Sequence, residues 1–471
     1  VTDGGYAAGD NPMPTDTTRT DGMPTDATAG ETVPAAAAVP DRRRRRRWPL
    51  WSALVAVVLL LAGGVPAVLL ADRLRGGNVG TPATAASPSE NPTTIAARQV
   101  AERITAQLDR QAAALLGGDR SGFLAVAEAA AVRTDLRRRF ASLRALRVTQ
   151  WEARANGLPT SAGKAGEWRL AVEFRYCFVV PDCNPSPLIV DTRWRDGAEP
   201  RLLSLGKSKT APSYGDRANG QPGSLPWEVS ELVSKVGRRT VVATVPAYRH
   251  RLPGLLKRAE AAAKVADGYA VSGAAPDRYR IFYAGQQEWK RWYGGDHPEW
   301  SAGYAINVGG GHYEIALAPD SFDYGTGLDS VLRHELAHAA SLPQKRDYSD
   351  DSTWWLVEGV AELAAVDGQS VARYEGLDSA RRLVKGDWDG KLDSLIPDED
   401  TSDDQVTGSY GIAYLAAQYL IDRFGEERLF AFVKAVVHDR RVPAQTSEEI
   451  FDESWASLHK KCVAYIRAAV R

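Results

Sequence analysis

An α+β fold is expected for this chain of 471 residues. Two patterns carry that expectation. Runs rich in β-branched and aromatic residues cluster between Val148 and Gly206, and again between Arg238 and Pro319. Helical spacing of apolar residues then takes over from Leu328 and holds to the C-terminal region. Strands first and helices after is the order of an α+β protein, whereas α/β proteins alternate the two. A third feature stands apart from both. Residues 48–71 carry no charged side chain.

Taken in order, residues 1–47 are rich in Thr, Asp, Pro, Gly and Ala and have little to bury, so a disordered tail is expected. The tail ends in the unbroken run Arg42–Arg47. The apolar stretch 48–71 is long enough to span a bilayer, and arginines on its N-terminal side would keep that side in the cytoplasm. A cleaved signal peptide would have a shorter apolar core ending at a small-residue site. The expectation is therefore one transmembrane helix, a cytoplasmic tail, and an extracytoplasmic remainder attached to the cell membrane. Heavy Ala and Arg usage and the initial Val suggest a high-GC bacterial gene with an alternative start codon. The net charge of −1 gives no reason to expect a nucleic-acid partner. Residues 72–96, rich in Gly, Pro, Ser and Thr, read as a flexible stalk.

Residues 97–225 read as a small α+β domain. Helical spacing covers Ile95–Leu116, Ser121–Val132 and Thr134–Leu146. Strand-like runs follow at Val148–Ala155, Glu167–Val180, Leu188–Arg195 and Pro200–Gly206. Helices followed by a curved sheet resemble the NTF2-like, cone-shaped fold. No catalytic motif lies here, so a docking or spacer role is expected. A ligand-binding role would need a long apolar pocket in the cone. Cys177 and Cys183 bracket a turn-like stretch, and outside the cytoplasm they could close a small loop as a disulfide. Cys462 is left over, on an expected helix, and reads as a small buried apolar residue.

After a linker at 207–226, residues 226–471 form the second domain. Strands are expected at Arg238–Val245 and Arg278–Tyr283, with a helix at Leu255–Val271 between them. Tyr304–Pro319 has two strand-like halves around Gly309-Gly310-Gly311. Further helices are expected at Leu328–Ser341, from Thr353 through Glu362, and at Gly408–Phe424, Glu426–His438 and Ser447–Val470. Thr326 with Asp329 has capping-box spacing at the start of the first of these, and Pro343 closes it.

That helix holds the most informative residues, His334-Glu335-Leu336-Ala337-His338. Positions i and i+4 stack on one helical face, so both imidazoles can reach one metal ion. The carboxylate of Glu335 can then reach a water held by that metal. This is the HExxH arrangement of zinc peptidases. A catalytic zinc also needs a third protein ligand and an open position.

HExxH followed by Trp355-Leu356-Val357-Glu358-Gly359-Val360-Ala361-Glu362 resembles the gluzincin metallopeptidases. The likeness is to the peptidase MA-like family and, more distantly, to the M1 aminopeptidases. It implies one Zn2+ per chain, with Glu358 as third ligand beside His334 and His338. It implies that Glu362 orients a ligand histidine. It implies a peptide or protein substrate, hydrolysed with Glu335 as general base. Related families place an oxyanion-donating tyrosine in a segment like Gly408-Ser409-Tyr410-Gly411. Tyr410 takes that role here, with Tyr414 one turn on as the alternative. Relatives also pair substrate with an exposed strand edge, and Gly311-His312-Tyr313-Glu314 is the run expected to supply it. That run lacks the G-A-M-E-N motif of M1 aminopeptidases, which favours an endopeptidase. The competing reading is a catalytically silent, membrane-anchored binding or scaffold protein on a peptidase-like fold.

Overall fold

The computed structural model describes residues 91–209, 223–295, 297–298, 300–323, 327–344, 351–386, 388–398 and 400–471. All of them fall within one compact unit, Ser87–Arg471. Its content is mixed helix and strand, with both sheets ahead of the main helical block, in keeping with the α+β class.

Helix α1, Pro92–Gly117, starts at Asn91, whose side chain accepts from the Thr93 amide. Gly118, at φ +78°, ends it. Regular structure therefore begins inside the stretch expected to be stalk. Helices α2 (Arg120–Leu124) and α3 (Ala130–Ala145) follow. The helix expected over Ser121–Val132 breaks because tertiary pairing wins. Leu202 donates its amide to Val126 O at 2.8 Å, and its carbonyl accepts from Glu128 N at 3.0 Å.

Strands β1 (Val148–Ala155), β2 (Thr160–Ser161), β3 (Glu167–Phe178), β4 (Ser186–Arg195) and β5 (Arg201–Ser208) form an antiparallel sheet. Its order is β1-β3-β4-β5, with β2 on β3. Ile104, Leu108 and Leu115 of α1 share a core with Trp151, Phe174 and Trp194 of the sheet. The cavity between them, lined in part by Gln111 and Arg139, measures about 20 Å³. That is room for about one water, not for a ligand in a cone.

A short helix α4, Pro226–Val229, leads into the second sheet. Its strands are β6 (Val233–Val236), β7 (Thr240–Thr244), β8 (Tyr279–Tyr283), β9 (Gly303–Gly309) and β10 (His312–Leu317). Helices α5 (Leu252–Ala266) and α6 (Gln286–Trp289) lie between them in the chain. The order is β6-β7-β8-β10-β9. β7, β8 and β10 run parallel, with β6 and β9 antiparallel at the two edges. Every residue of β7, β8 and β10 is buried, as expected for parallel strands covered on both faces. β9 instead alternates half-buried with buried positions, the pattern of an edge. The core of the first sheet continues without a break through Trp227, Phe282, Tyr304, Ile306 and Val308. Residue 225 thus divides the sequence but not the packing.

The helical block is α7 (Gly327–Ser341), α8 (Trp354–Val366), α9 (Leu377–Lys385), α10 (Asp403–Phe424), α11 (Glu426–Val433), α12 (Pro443–Phe451) and α13 (Trp455–Ala469). One wider π-type turn, Lys434–His438, extends α11. The single helix expected over Ser447–Val470 is two, because Asp452 takes φ +56° between them. Cys462 is buried in the core of this block.

One expectation is overturned. Among the described residues no helix is long and apolar enough to cross a membrane, so the single-pass placement does not stand. The run 48–71 on which it rested lies outside the described residues, as does Thr326 of the expected capping box.

Candidate metal centre

Helix α7 presents the two imidazoles because its apolar stripe decides which way it faces. Leu328, Leu332 and Leu336 repeat every four residues and are at most 1% exposed. They share a core with Ile281, Ile315 and Leu317 of the second sheet. Each buried leucine contributes about 1.5–3 kcal/mol, so rotating the helix to hide the histidines would be costly. At its C-terminal end His438 Nε2 lies 2.6 Å from Ser341 O.

Helix α8 runs across α7, and the two are tied by Arg333, whose Nε donates to Ala365 O at 2.9 Å. α8 is apolar on nearly all sides and sits between α7 and α10. Gly359 makes the second contact possible. A Cβ there would lie 2.4 Å from Ala413 O of α10. That close approach brings Tyr410, one turn before Ala413, over the site. Its ring centroid is 5.8 Å from that of His334 and 5.1 Å from that of Trp354. Tyr414, the alternative, is fully buried and stacks on Tyr374 at 4.5 Å.

His334, His338 and Glu358 come together as a group able to hold a metal ion. His334 Nε2 and His338 Nε2 are 3.1 Å apart, and each lies 3.2 Å from Glu358 Oε2. A tetrahedral ion at zinc–ligand distances would space three such donors about 3.3–3.4 Å apart, so the triangle fits. Glu335 Oε2, beside the triangle, is buried with no hydrogen bond, and Glu358 Oε2 meets only the two imidazole nitrogens. Buried acceptors without partners are costly, and converging ones suit a cation. The donor set of two imidazoles and a carboxylate is one that zinc takes at catalytic sites, leaving one position open.

On the far side of the ring, His334 Nδ1 is 2.9 Å from Glu362 Oε1. A proton held there leaves Nε2 as the lone pair facing the triangle. Glu362 is held in turn by Tyr374, whose hydroxyl donates to Oε2 at 2.8 Å. Tyr374 has no sequence signal, since it reaches the site only through the packing of the segment before α9 against α10.

The charges are strongly coupled. Burial opposes charge on His334, but Glu358 and Glu362 outweigh it and hold its pKa well above the usual histidine range. Burial would raise the Glu358 carboxyl, yet His338 and His334 override it and hold the pKa at about 2. Burial raises Glu335, with the two imidazoles pulling the other way.

The run expected to supply a strand edge does not end the sheet. Gly311 sits in the β9–β10 turn, and His312, Tyr313 and Glu314 begin β10, which lies between β8 and β9. Glu314 is fully buried, accepting from Tyr293 Oη at 2.5 Å and lying 3.8 Å from Arg280. β9 is the strand that ends the sheet. The Ala318 amide donates to Ala302 O. By alternation, the backbone groups of Gly303 and Ala305 then point away from β10, toward an edge that no described strand pairs, with Ser301 Oγ donating to Gly303 O at 3.1 Å. A Cβ on Gly303 would lie 3.3 Å from Glu335 Oε1, so this edge runs beside the carboxylate. Elsewhere, Cys177 and Cys183 are joined by a disulfide.

No family model matches the chain, and no curated protein matches it. Among solved structures it is similar to yeast LTA4 hydrolase, at 16% identity over 49% of this chain and 38% of that one, with a TM-score of 0.32. It is also similar to an M1 zinc metallopeptidase from Deinococcus radiodurans, at 15% identity over 69% and 61% of the two chains, with a TM-score of 0.30. The chain thus spans less than two thirds of either protein. Likenesses this slight carry no argument, and the functional reading rests on the geometry of the site.

Proposed function

We propose that the chain is a zinc-dependent peptidase acting within polypeptides. The observation that carries this is the triangle of His334 Nε2, His338 Nε2 and Glu358 Oε2, with the Glu335 carboxylate beside it and, alongside, a strand edge that no described strand pairs. Zinc, when bound, supplies Lewis acidity, which makes water acidic and a carbonyl electrophilic. Glu335 takes a proton from the attacking water on its carboxylate and returns it to the leaving nitrogen. Its raised pKa suits both halves of that exchange. Tyr410 donates its hydroxyl to the oxygen on which charge develops. Glu362 and Tyr374 fix the His334 ring. The backbone of β9 pairs with the extended substrate. β9 carries no acidic side chain, and Glu314 is tied to Tyr293 and Arg280. Neither strand therefore offers a free carboxylate for a substrate's terminal amine, which favours cleavage within chains.

The test is metal content by mass spectrometry together with turnover of a mixed peptide library, for wild type, Glu358→Ala and Glu335→Gln. The expected result is about one zinc per wild-type chain and a large loss of zinc in Glu358→Ala. Glu335→Gln should keep zinc and lose about 10²–10⁴-fold in kcat. Zinc held equally by wild type and Glu358→Ala would remove the third ligand. Zinc without turnover in wild type would return the molecule to the scaffold reading.

A further inference from the structure

The N-terminal α+β unit touches the second sheet at a point that bears on the site. The turn Gly309-Gly310-Gly311, which joins β9 to β10, has φ values of +81°, +65° and +77°. Side chains rarely tolerate such backbone, and here the space is also taken. A Cβ on Gly310 would lie 2.4 Å from Asn184 O, and one on Gly309 would lie 2.6 Å from Pro187 Cδ. The turn is thus seated on the backbone of Asn184 and Pro185 and on the ring of Pro187. Two hydrogen bonds hold it there. Ser186 Oγ donates to Gly309 O at 3.1 Å, and His312 Nε2 lies 2.9 Å from Asn184 O. Burial, helped by nearby Arg280, pushes the His312 pKa down to about 3. The ring is therefore neutral at working pH, and Nε2–H is the donor.

Ser186 and Pro187 are held by pairing with Tyr176 and Arg175 of β3, and the disulfide ties down Asn184 and Pro185 just before them. Cys177 lies near the end of β3, and Cys183 immediately precedes Asn184. Val179 donates its amide to Arg147 O and Val180 O accepts from Thr149 Oγ1, but the stretch from Pro181 to Pro185 has no strand pairing, so the disulfide is its tie to β3. The other end of β9 lies at Glu335. The strand is therefore anchored at one end by the N-terminal unit and lies beside the candidate base at the other.

We infer that the disulfide-closed loop, with the Asn184–Pro187 segment that leads from it into β4, is a brace that positions the edge of β9 for an extended peptide. The peptide part of this inference rests on the peptidase reading above; the bracing of β9 does not. Ser186, His312 and the Cys177–Cys183 pair are positioning residues, since none of them reaches the metal triangle. The brace gives the N-terminal unit a direct role in substrate binding.

The test compares the full chain with its Cys177→Ala/Cys183→Ala variant, and separately with wild type reduced by a phosphine. Amide hydrogen exchange is read over β9 and over α7, with zinc content alongside. The expected result is exchange over Gly303–Gly309 faster by about tenfold, α7 unchanged and zinc retained. For a peptide long enough to lie along β9, KM should rise by about three- to tenfold with kcat within about twofold. The affinity of a small hydroxamate, which needs no strand pairing, should not change. Unchanged exchange over β9 would overturn the brace. A uniform rise across the chain with loss of zinc would overturn it too, because the disulfide would then only hold the fold together. The exchange measurement needs no turnover. A zinc-loaded wild type that hydrolyses nothing would sink the peptidase reading, while β9 exchange still decides the brace.

Discussion

Replacing Gly359 by alanine tests whether helix spacing sets the geometry of the metal centre. A Cβ there would sit 2.4 Å from Ala413 O and 3.0 Å from Ala417 Cβ. Real Cβ contacts essentially never fall below 3.0 Å, so α8 and α10 must part by about 0.6 Å or more. Overpacking of this kind costs about 1–3 kcal/mol. Alanine in a helix gives back roughly 0.5–1 kcal/mol relative to glycine. The net loss should be about 0–2.5 kcal/mol, a fall in Tm of roughly 2–4 °C for each kcal/mol lost. The functional effect should be larger than the loss of stability suggests. Glu358 is the neighbour of Gly359, and Tyr410 lies one turn from Ala413, so both move with their helices. A displacement of more than half an ångström at reacting groups costs on the order of tenfold in rate. Thermal unfolding, zinc content and kcat on one peptide, measured side by side, give the answer. A variant as stable as wild type with kcat unchanged would refute the reasoning, because the helices would then tolerate separation without consequence for the site.

Three further outcomes are expected. Tyr374→Phe removes the hydroxyl that holds Glu362 and should weaken zinc about tenfold, read by competition with a chromophoric chelator; unchanged affinity would make that hydrogen bond idle. Tyr410→Phe should keep zinc and the fold while lowering kcat by about 10²–10³-fold, and activity within twofold of wild type would move the oxyanion donor elsewhere. Metal-free protein at neutral pH keeps a proton on His334, because its pKa is held well above the usual range. Zinc must displace that proton, so affinity should rise about tenfold per pH unit for each proton released and level off above the raised pKa. Titration calorimetry in two buffers of different ionisation enthalpy counts the protons, and no buffer dependence would contradict the assignment.

What the sequence made legible was local. The two histidines stand four apart on a helix whose leucines announce its buried face, so their convergence follows from helical geometry alone. Glu358 is different. Nothing in its spacing selects it over Glu362, and the family resemblance alone distinguished the two. The edge strand was hidden because the halves of Tyr304–Pro319 are both apolar and both strand-like, and only pairing reveals which one ends the sheet. Tyr374 was invisible because its partner is twelve residues away and is met through a helix crossing. The break after α2 shows the same limit in the fold. Val126–Glu128 has helical composition, yet its backbone groups find better partners on Leu202.

The shared core across residue 225 has a practical consequence. A gene trimmed to begin at Pro226 would leave the indole of Trp227 without Trp151 and Tyr176, whose rings it meets edge-on at 5.7 and 5.4 Å. The inner side of β9 would be stripped of its cover at the same stroke. Such a fragment should be sticky and short-lived rather than a minimal enzyme. A chain nicked once between Lys209 and Gly223 should instead migrate through a sizing column as a single particle, its two pieces held like halves of a closed clasp.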